Sequence, residues 1–395
     1  MNIKDLEVPD RRGSCSTKWD GLEGLFGDKD LLSMWVADMD FKAPPAVGQA
    51  LKQTAEYNVY GYYLPSDGYY DAFIDWERRR HGYEVRRDWL RYSTGVVSGI
   101  FWTVNFMTRP GDACMILSPC YYPFMDAVLH TGRTLVCCPL REEQGRYSID
   151  FADFERRLVE RQVKLFILCS PHNPVGRVWT REELHTIMEL CRKHHVFVIS
   201  DEIHQDIIPG PRPHVPTATV GDYDDMMLTI TAGSKTFNLA GAQNSYVIIP
   251  DPAIRARFDD YVKGIRVTRG SMFGYIAVEA AYRGGEEWLD TVLEAIRGND
   301  HFCRDYLARR LPQAVVSPLE GTYLLWVDLA PYVPAGEIQD FMLKEARIAV
   351  DYGDQFFAPG HPADTHIRLN LATPRSNVER AMEQLASAAQ KRLTK

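Results

Sequence analysis

From Tyr92 onward the chain alternates short apolar runs with longer mixed stretches. The runs are CMILSP at 114–119, TLVCCPL at 134–140, KLFILCSP at 164–171, HVFVIS at 195–200, MMLTIT at 226–231 and SYVIIP at 245–250. Each is continuously apolar or β-branched rather than alternating, the pattern of strands covered on both faces, and all six are read as parallel strands. Between the third and fourth runs, TREELHTIMELCRKHH begins with a capping box, Thr180 with Glu183, and puts Leu184, Ile187, Met188 and Cys191 on one face of a helix. Strand, helix and strand in that order predict a βαβ unit.

Around residue 285 the rhythm changes. Two further strand-like runs, TYLLWVDL at 322–329 and THIRLNL at 365–371, stand among helical stretches such as GEIQDFMLKEARI. The expected fold class is α/β: a large domain with a mostly parallel sheet wrapped by helices, over 46–285, and a smaller α+β domain over 286–395. Residues 1–45 are irregular and rich in Gly, Asp and Pro, yet they hold the apolar-acidic segment MWVADMDF, Met34 to Phe41, whose apolar members must pack on something. This N-terminal segment is expected to pack on the small domain. No internal repeat or low-complexity tract interrupts the chain.

The length of 395 residues, with 45% apolar and 25% charged positions, excludes disordered and fibrous classes and suffices for two cores. A net charge of −8 with dispersed basic residues recommends no nucleic-acid or anionic-membrane partner. The N-terminus lacks an apolar targeting core and no run reaches the length of a membrane span, so a cytoplasmic protein is expected. The eight cysteines form no CxxC pair and most sit in apolar runs, so neither a disulfide framework nor a zinc site is expected. His194 and His195 close a helical stretch, where a cation suits the helix C-terminus, and no metal role is assigned to them. The stretch YNVYGYYLPSDGYY gathers Tyr57, Tyr60, Tyr62, Tyr63, Tyr69 and Tyr70, an aromatic density that suits core or subunit interface.

In an open α/β sheet, ligands bind beyond the carboxyl ends of the strands. Three such ends carry polar residues: Ser170 to Pro174 (SPHNP) after KLFILC, Ser200 to His204 (SDEIH) after HVFVI, and Gly233-Ser234-Lys235 after MMLTIT. Each has an ordinary alternative, with Asn173 as a turn former, Asp201 as a helix N-cap and Lys235 as a solvated surface lysine. Together they put an amide, a carboxylate and an amine at one rim. A lysine packed among small residues at the mouth of an apolar strand is partly desolvated and spends more time as a neutral nucleophile, which is what Schiff-base chemistry requires.

The motifs SPHNPVG, DEIH, SKTFNLAG and RLNLATPR resemble those of pyridoxal-phosphate enzymes of the aspartate aminotransferase fold, fold type I. RRGSCSTKWD near the start and WVADMDF resemble the MalY/PatB branch of cystathionine β-lyase-like carbon–sulfur lyases. These motifs span nearly the full chain in the family's order. The resemblance implies pyridoxal 5′-phosphate as cofactor, with Lys235 as both its Schiff-base lysine and the base for the substrate's Cα proton. Asp201 would pair with the pyridinium nitrogen, Asn173 would bond the ring's phenolic oxygen with His204 nearby, and Tyr121 would stack on the ring. Ser234 and the backbone N–H groups of Val96 and Val97 would hold the phosphate. Tyr62 would reach it from the other chain of a homodimer. Arg368 would grip the substrate carboxylate, with the backbone at Ala37 closing over it and Arg375 as the next candidate. One departure from the broader fold's pattern stands at Gln243, where many relatives carry a basic phosphate partner; the neutral amide gives up a charge-assisted contact.

The activity implied is α,β-elimination from cystathionine or a related cysteine S-conjugate, giving a thiol, pyruvate and ammonia. The same motifs are compatible with an aminotransferase. A cofactor-bearing regulatory protein is the alternative from another class, since the branch includes a member with a regulatory role.

Overall fold

The computed structural model describes residues 1–393. Seven strands form the central sheet in the order Leu90–Ser93, Ser245–Ile248, Met227–Thr231, Phe197–Asp201, Val163–Cys169, Ala113–Ser118, Thr134–Pro139. Alternate residues enter different cores: Met115, Leu117, Phe166 and Leu168 pack on one side, and Cys114, Ile116, Leu165 and Ile167 on the other. That two-sided burial is why the runs read as continuously apolar.

Five of the six runs pair in parallel. The sixth, Ser245–Ile248, is antiparallel to both its neighbours, which corrects its reading as a parallel strand. Its direction follows from its connection: only a short helical turn, Gly233–Thr236, and a single 3-10 turn, Ala240–Ala242, intervene after Met227–Thr231, with no crossover helix to carry the chain back. Its apolar content reflects burial instead, for Tyr246 and Ile248 enter one core and Val247 and Ile249 the other.

The helix Arg181–Lys193 begins where the capping box requires. Thr180 Oγ1 accepts from the Glu183 N–H at 3.1 Å, and the Glu183 carboxylate accepts from the Thr180 N–H at 2.8 Å. Leu184, Ile187, Met188 and Cys191 are buried on its inner face. Burial of each large apolar side chain contributes about 1.5–3 kcal/mol, far more than the isolated helix could supply.

A second, antiparallel sheet has the order Val315–Val316, Leu324–Asp328, His366–Asn370, Asp351–Tyr352. The GEIQDFMLKEARI stretch is a helical turn, Ile338–Asp340, continuing as the π-helix Phe341–Ala346 and stopped by Arg347 at φ 62°. Near the N-terminus, Leu32–Ser33 pairs in parallel with Ile348–Ala349, and the Asn370 N–H donates to the Met34 carbonyl at 2.8 Å. Met34 and Met39 are buried by this packing. No described helix is long and apolar enough to cross a membrane.

Candidate active site

The carboxyl ends of the central strands open into one cavity of about 210 Å³. Asp201 is the last residue of its strand, Asn173 stands four residues past Cys169, and Lys235 rides the helical turn Gly233–Thr236. Of the residues singled out in the sequence, Ala37, Val96, Val97, Tyr121, Asn173, Asp201, His204, Ser234, Lys235 and Arg368 all line this cavity. Tyr62 does not. It is fully exposed and lines a separate surface groove with Tyr57, Val59 and Met272. Arg375 is also elsewhere, donating from Nε to Asn299 Oδ1 at 2.9 Å and lying over the Phe302 ring.

Burial pulls the Lys235 amine down to about 8; the carboxylates of Asp38 and Asp201 oppose this fall, and the Arg368 cation adds to it. Its Nζ donates to the Ala37 carbonyl at 2.8 Å. Burial pushes the Asp201 carboxyl up to about 7, opposed by the Ile203 N–H that donates to Oδ1 at 3.0 Å. His204 is held neutral, pushed down to about 3 by burial and then by the cations Lys235 and Arg368, and its Nδ1 has no partner. Two titratable groups displaced towards neutrality from opposite sides, in one cleft, mark a functional centre.

Arg368 projects from the His366–Asn370 strand and is buried. Its Nη1 donates to Asn173 Oδ1 at 2.8 Å, its Nη2 donates to the Asp351 carboxylate, and its guanidinium lies 4.8 Å from the Phe356 ring centroid. Its Nε is buried without a partner. These partners fix the plane of the guanidinium, and Asp351 already takes part of its charge.

Other residues of the lining offer donors suited to an anion. The helix Val96–Met107 starts after Gly95, which supplies no capping side chain, so its first N–H groups lack a side-chain acceptor. A Cβ added at Gly95 would meet nothing within 4 Å. Facing the same space, Asn244 accepts from the Tyr69 hydroxyl at 2.7 Å while its buried Nδ2 has no partner. Gln243 adopts the left-handed conformation, with φ 46°, and its carbonyl accepts from the Tyr92 hydroxyl at 3.0 Å. The donor set of helix N-terminus, Ser234 hydroxyl and orphaned Asn244 amide fits a phosphate, and Lys235, Asp201 and Asn173 fit an aromatic aldehyde carrying a basic ring nitrogen.

Several lining residues have no signal in the sequence alone. Asp351 lies on a two-residue strand with no periodicity to flag it, and Asn244 reads as a neutral residue beside the missing basic one. Trp35, the first residue of the WVADMDF motif, and Tyr122, next to Tyr121, also line the cavity, with no individual role legible in the sequence.

This fold and this cleft define a class of amino-group enzymes. The chain belongs to the aminotransferase class I and II family, whose model matches residues 29–385. Within it, the chain is 38% identical to cystathionine beta-lyase PatB of Bacillus subtilis (strain 168), over 98% of this chain and 100% of that protein. It is 30% identical to protein MalY of Escherichia coli (strain K12), over 97% of each. Among solved structures, cystalysin from Treponema denticola, which contains a pyridoxal 5′-phosphate cofactor, superposes with a TM-score of 0.93 at 34% identity, over 98% of each chain. A pyridoxal-phosphate-bound carbon–sulfur lyase from Staphylococcus hominis superposes with a TM-score of 0.90 at 33% identity, over 97% of each.

Proposed function

We propose that this protein is a pyridoxal-phosphate-dependent carbon–sulfur β-lyase, converting a cysteine S-conjugate such as cystathionine, with one water, into a thiol, pyruvate and ammonium. The observation that carries the reading is the amine of Lys235, lowered to about 8 in a cavity that it shares with Asp201, Asn173 and Arg368. Identity to a cystathionine β-lyase supports the substrate class.

When bound, pyridoxal phosphate supplies an electron sink for a carbanion at Cα. Lys235 would hold it covalently, Asp201 would pair with its ring nitrogen, Asn173 would bond its phenolic oxygen with His204 nearby, and Tyr121 would stack on the ring. Val96, Val97 and Ser234 would take the phosphate, with the Asn244 amide offering a further donor where Gln243 brings no charge. Arg368 binds the substrate carboxylate beneath the backbone of Ala37. Lys235, free once substrate is bound, accepts the Cα proton on Nζ, which requires the neutral amine that burial favours. A thiolate, with an ordinary pKa near 8.5, then leaves Cβ without needing a strong acid.

A panel of S-substituted cysteines tests the reading. Pyruvate release is expected from each conjugate and none from L-alanine, which has no leaving group on Cβ; turnover only when a 2-oxo acid is added would make the protein an aminotransferase.

Arg368→Lys is expected to raise KM about 10–100-fold with a smaller change in kcat, because a point charge cannot reproduce the planar fork. An unchanged KM would move carboxylate recognition to another residue.

The working unit is a cytoplasmic homodimer in which Tyr62 completes the partner's site, and the chain divides into an N-terminal segment over 1–45, a large domain over 46–285 and a small domain over 286–395. Exposed Tyr57, Val59, Tyr60, Tyr62 and Leu64 support an interface there, since so many apolar side chains in one stretch mark a contact surface. Pairing of Leu32–Ser33 with Ile348–Ala349 supports grouping the N-terminal segment with the small domain. Mixing Tyr62→Phe chains with Lys235→Ala chains gives heterodimers with one intact site, so up to about half of wild-type activity per heterodimer should return. No recovery after chain exchange would confine Tyr62 to its own chain.

A further inference from the structure

The RRGSCSTKWD segment holds a lysine that the chemistry above does not use. Lys18 has no exposed surface, and its Nζ donates to Asp40 Oδ2 at 2.8 Å and to the Asp38 carbonyl at 2.9 Å. The rest of the Asp40 carboxylate is satisfied too, by Trp19 Nε1 at 2.9 Å and the Thr373 hydroxyl at 2.7 Å. The backbone carbonyl of Lys18 accepts from the Ser33 hydroxyl at 2.7 Å and from Trp35 Nε1 at 3.1 Å. Both ends of this residue thus grip the strap from Trp35 to Asp40, on either side of Ala37.

Every carbonyl from Val36 to Met39 accepts from a side chain. Asn370 Nδ2 donates to Val36 at 2.7 Å and to Asp38 at 2.8 Å. Lys235 donates to Ala37 at 2.8 Å, and Met39 receives Arg11 at 2.9 Å and Asn238 at 3.1 Å. The donors come from the neighbourhood of the reacting groups: Asn370 is two residues past Arg368 on the same strand face, and Asn238 three residues past Lys235. Packing alone would be served as well by an apolar pair, since burying two charges costs several kcal/mol per ion before they attract each other. What an apolar pair could not do is hold a carbonyl in place.

We propose that the buried Lys18–Asp40 pair is a positioning device for the reacting lysine, fixing the Ala37 carbonyl at the spot where the free Nζ of Lys235 docks during the catalytic cycle. This rests on the reading of Lys235 given above. The carbonyl takes one N–H of the free amine and thereby turns its lone pair to a set direction, so that the proton is collected from a fixed geometry. Lys18 touches neither substrate nor cofactor and acts only through the strap.

The test uses the holoenzyme carrying Lys18→Met, the charge-free pair Lys18→Met/Asp40→Asn, and Asn370→Ala, which removes the other donor to the Asp38 carbonyl. The double variant leaves no unpaired buried charge and keeps the test open if Lys18→Met does not fold. In the double variant and in Asn370→Ala, kcat is expected to fall about 10–100-fold with KM nearly unchanged, the scale of a misplacement near 1 Å. The acid-limb midpoint of the kcat–pH profile is expected to move as well, because the free amine of the substrate complex has lost its fixed acceptor. A lower melting temperature with wild-type kcat and midpoint would make the pair purely structural and overturn the proposal. Borohydride labelling of Lys235, followed in each variant, separates that failure from a failure of the lysine assignment.

Discussion

Lys235→Ala is expected to abolish pyruvate release, with kcat/KM lower by at least about 10⁴-fold, the upper range for a positioned proton-transfer group. It should also abolish the yellow absorbance of covalently held cofactor, and borohydride treatment of the wild type should label Lys235 and no other lysine. Two properties of the residue lead there. Its Nζ stands in the same cavity as Asp201, Asn173 and Arg368, and burial lowers it to about 8, so an appreciable fraction is neutral at physiological pH. Full activity in the variant, or a label on a different lysine, would remove the assignment on which every other role depends.

Asp201→Asn is expected to separate turnover from stability. In the proposed role the carboxylate would act on the electron sink without touching the substrate, so kcat should fall about 10²–10³-fold, as for loss of one preorganised electrostatic partner, with KM little changed. In protein stripped of cofactor the same variant should be the more stable one. The Asp201 carboxyl is raised from 3.8 to about 7 on folding, so the folded state keeps a proton that the unfolded chain has released. The favourable contribution of the protonated form is complete below about pH 4 and is lost as pH rises through 7. The amide avoids that loss, giving a gain of up to about 4 kcal/mol at pH 8 that shrinks steadily towards pH 4. Urea denaturation across this range measures it, and a variant less stable than wild type at pH 8 would mean that Asp201 has a favourable partner in the empty site.

Strand positions were legible because burial on both faces leaves a continuous apolar run, and Asn173, Asp201 and Lys235 stood out as polar residues at strand ends, whereas Ala37, Val96, Val97, Tyr121 and Arg368 were reached only through the family resemblance. Strand direction was not legible at Ser245–Ile248, since two-sided burial has the same composition whichever way the chain runs. Lys18 lies in a polar segment with no pattern that marks it as buried; its burial depends on Asp40 and on Thr373, which joins Asp40 from far along the chain. The strap illustrates the same limit, because its hold on Lys235 passes through backbone carbonyls and these carry no side-chain signature. Asp351 escaped notice because its meaning depends on Arg368, its pairing partner across two strands.

Elimination at Cβ is checked by product stoichiometry from L-cystathionine, measured with purified wild-type protein and no added 2-oxo acid. Homocysteine, pyruvate and ammonium are expected in equal amounts, accumulating linearly over many turnovers. Amino-group transfer with no free thiol, halting after one equivalent per site, would contradict it.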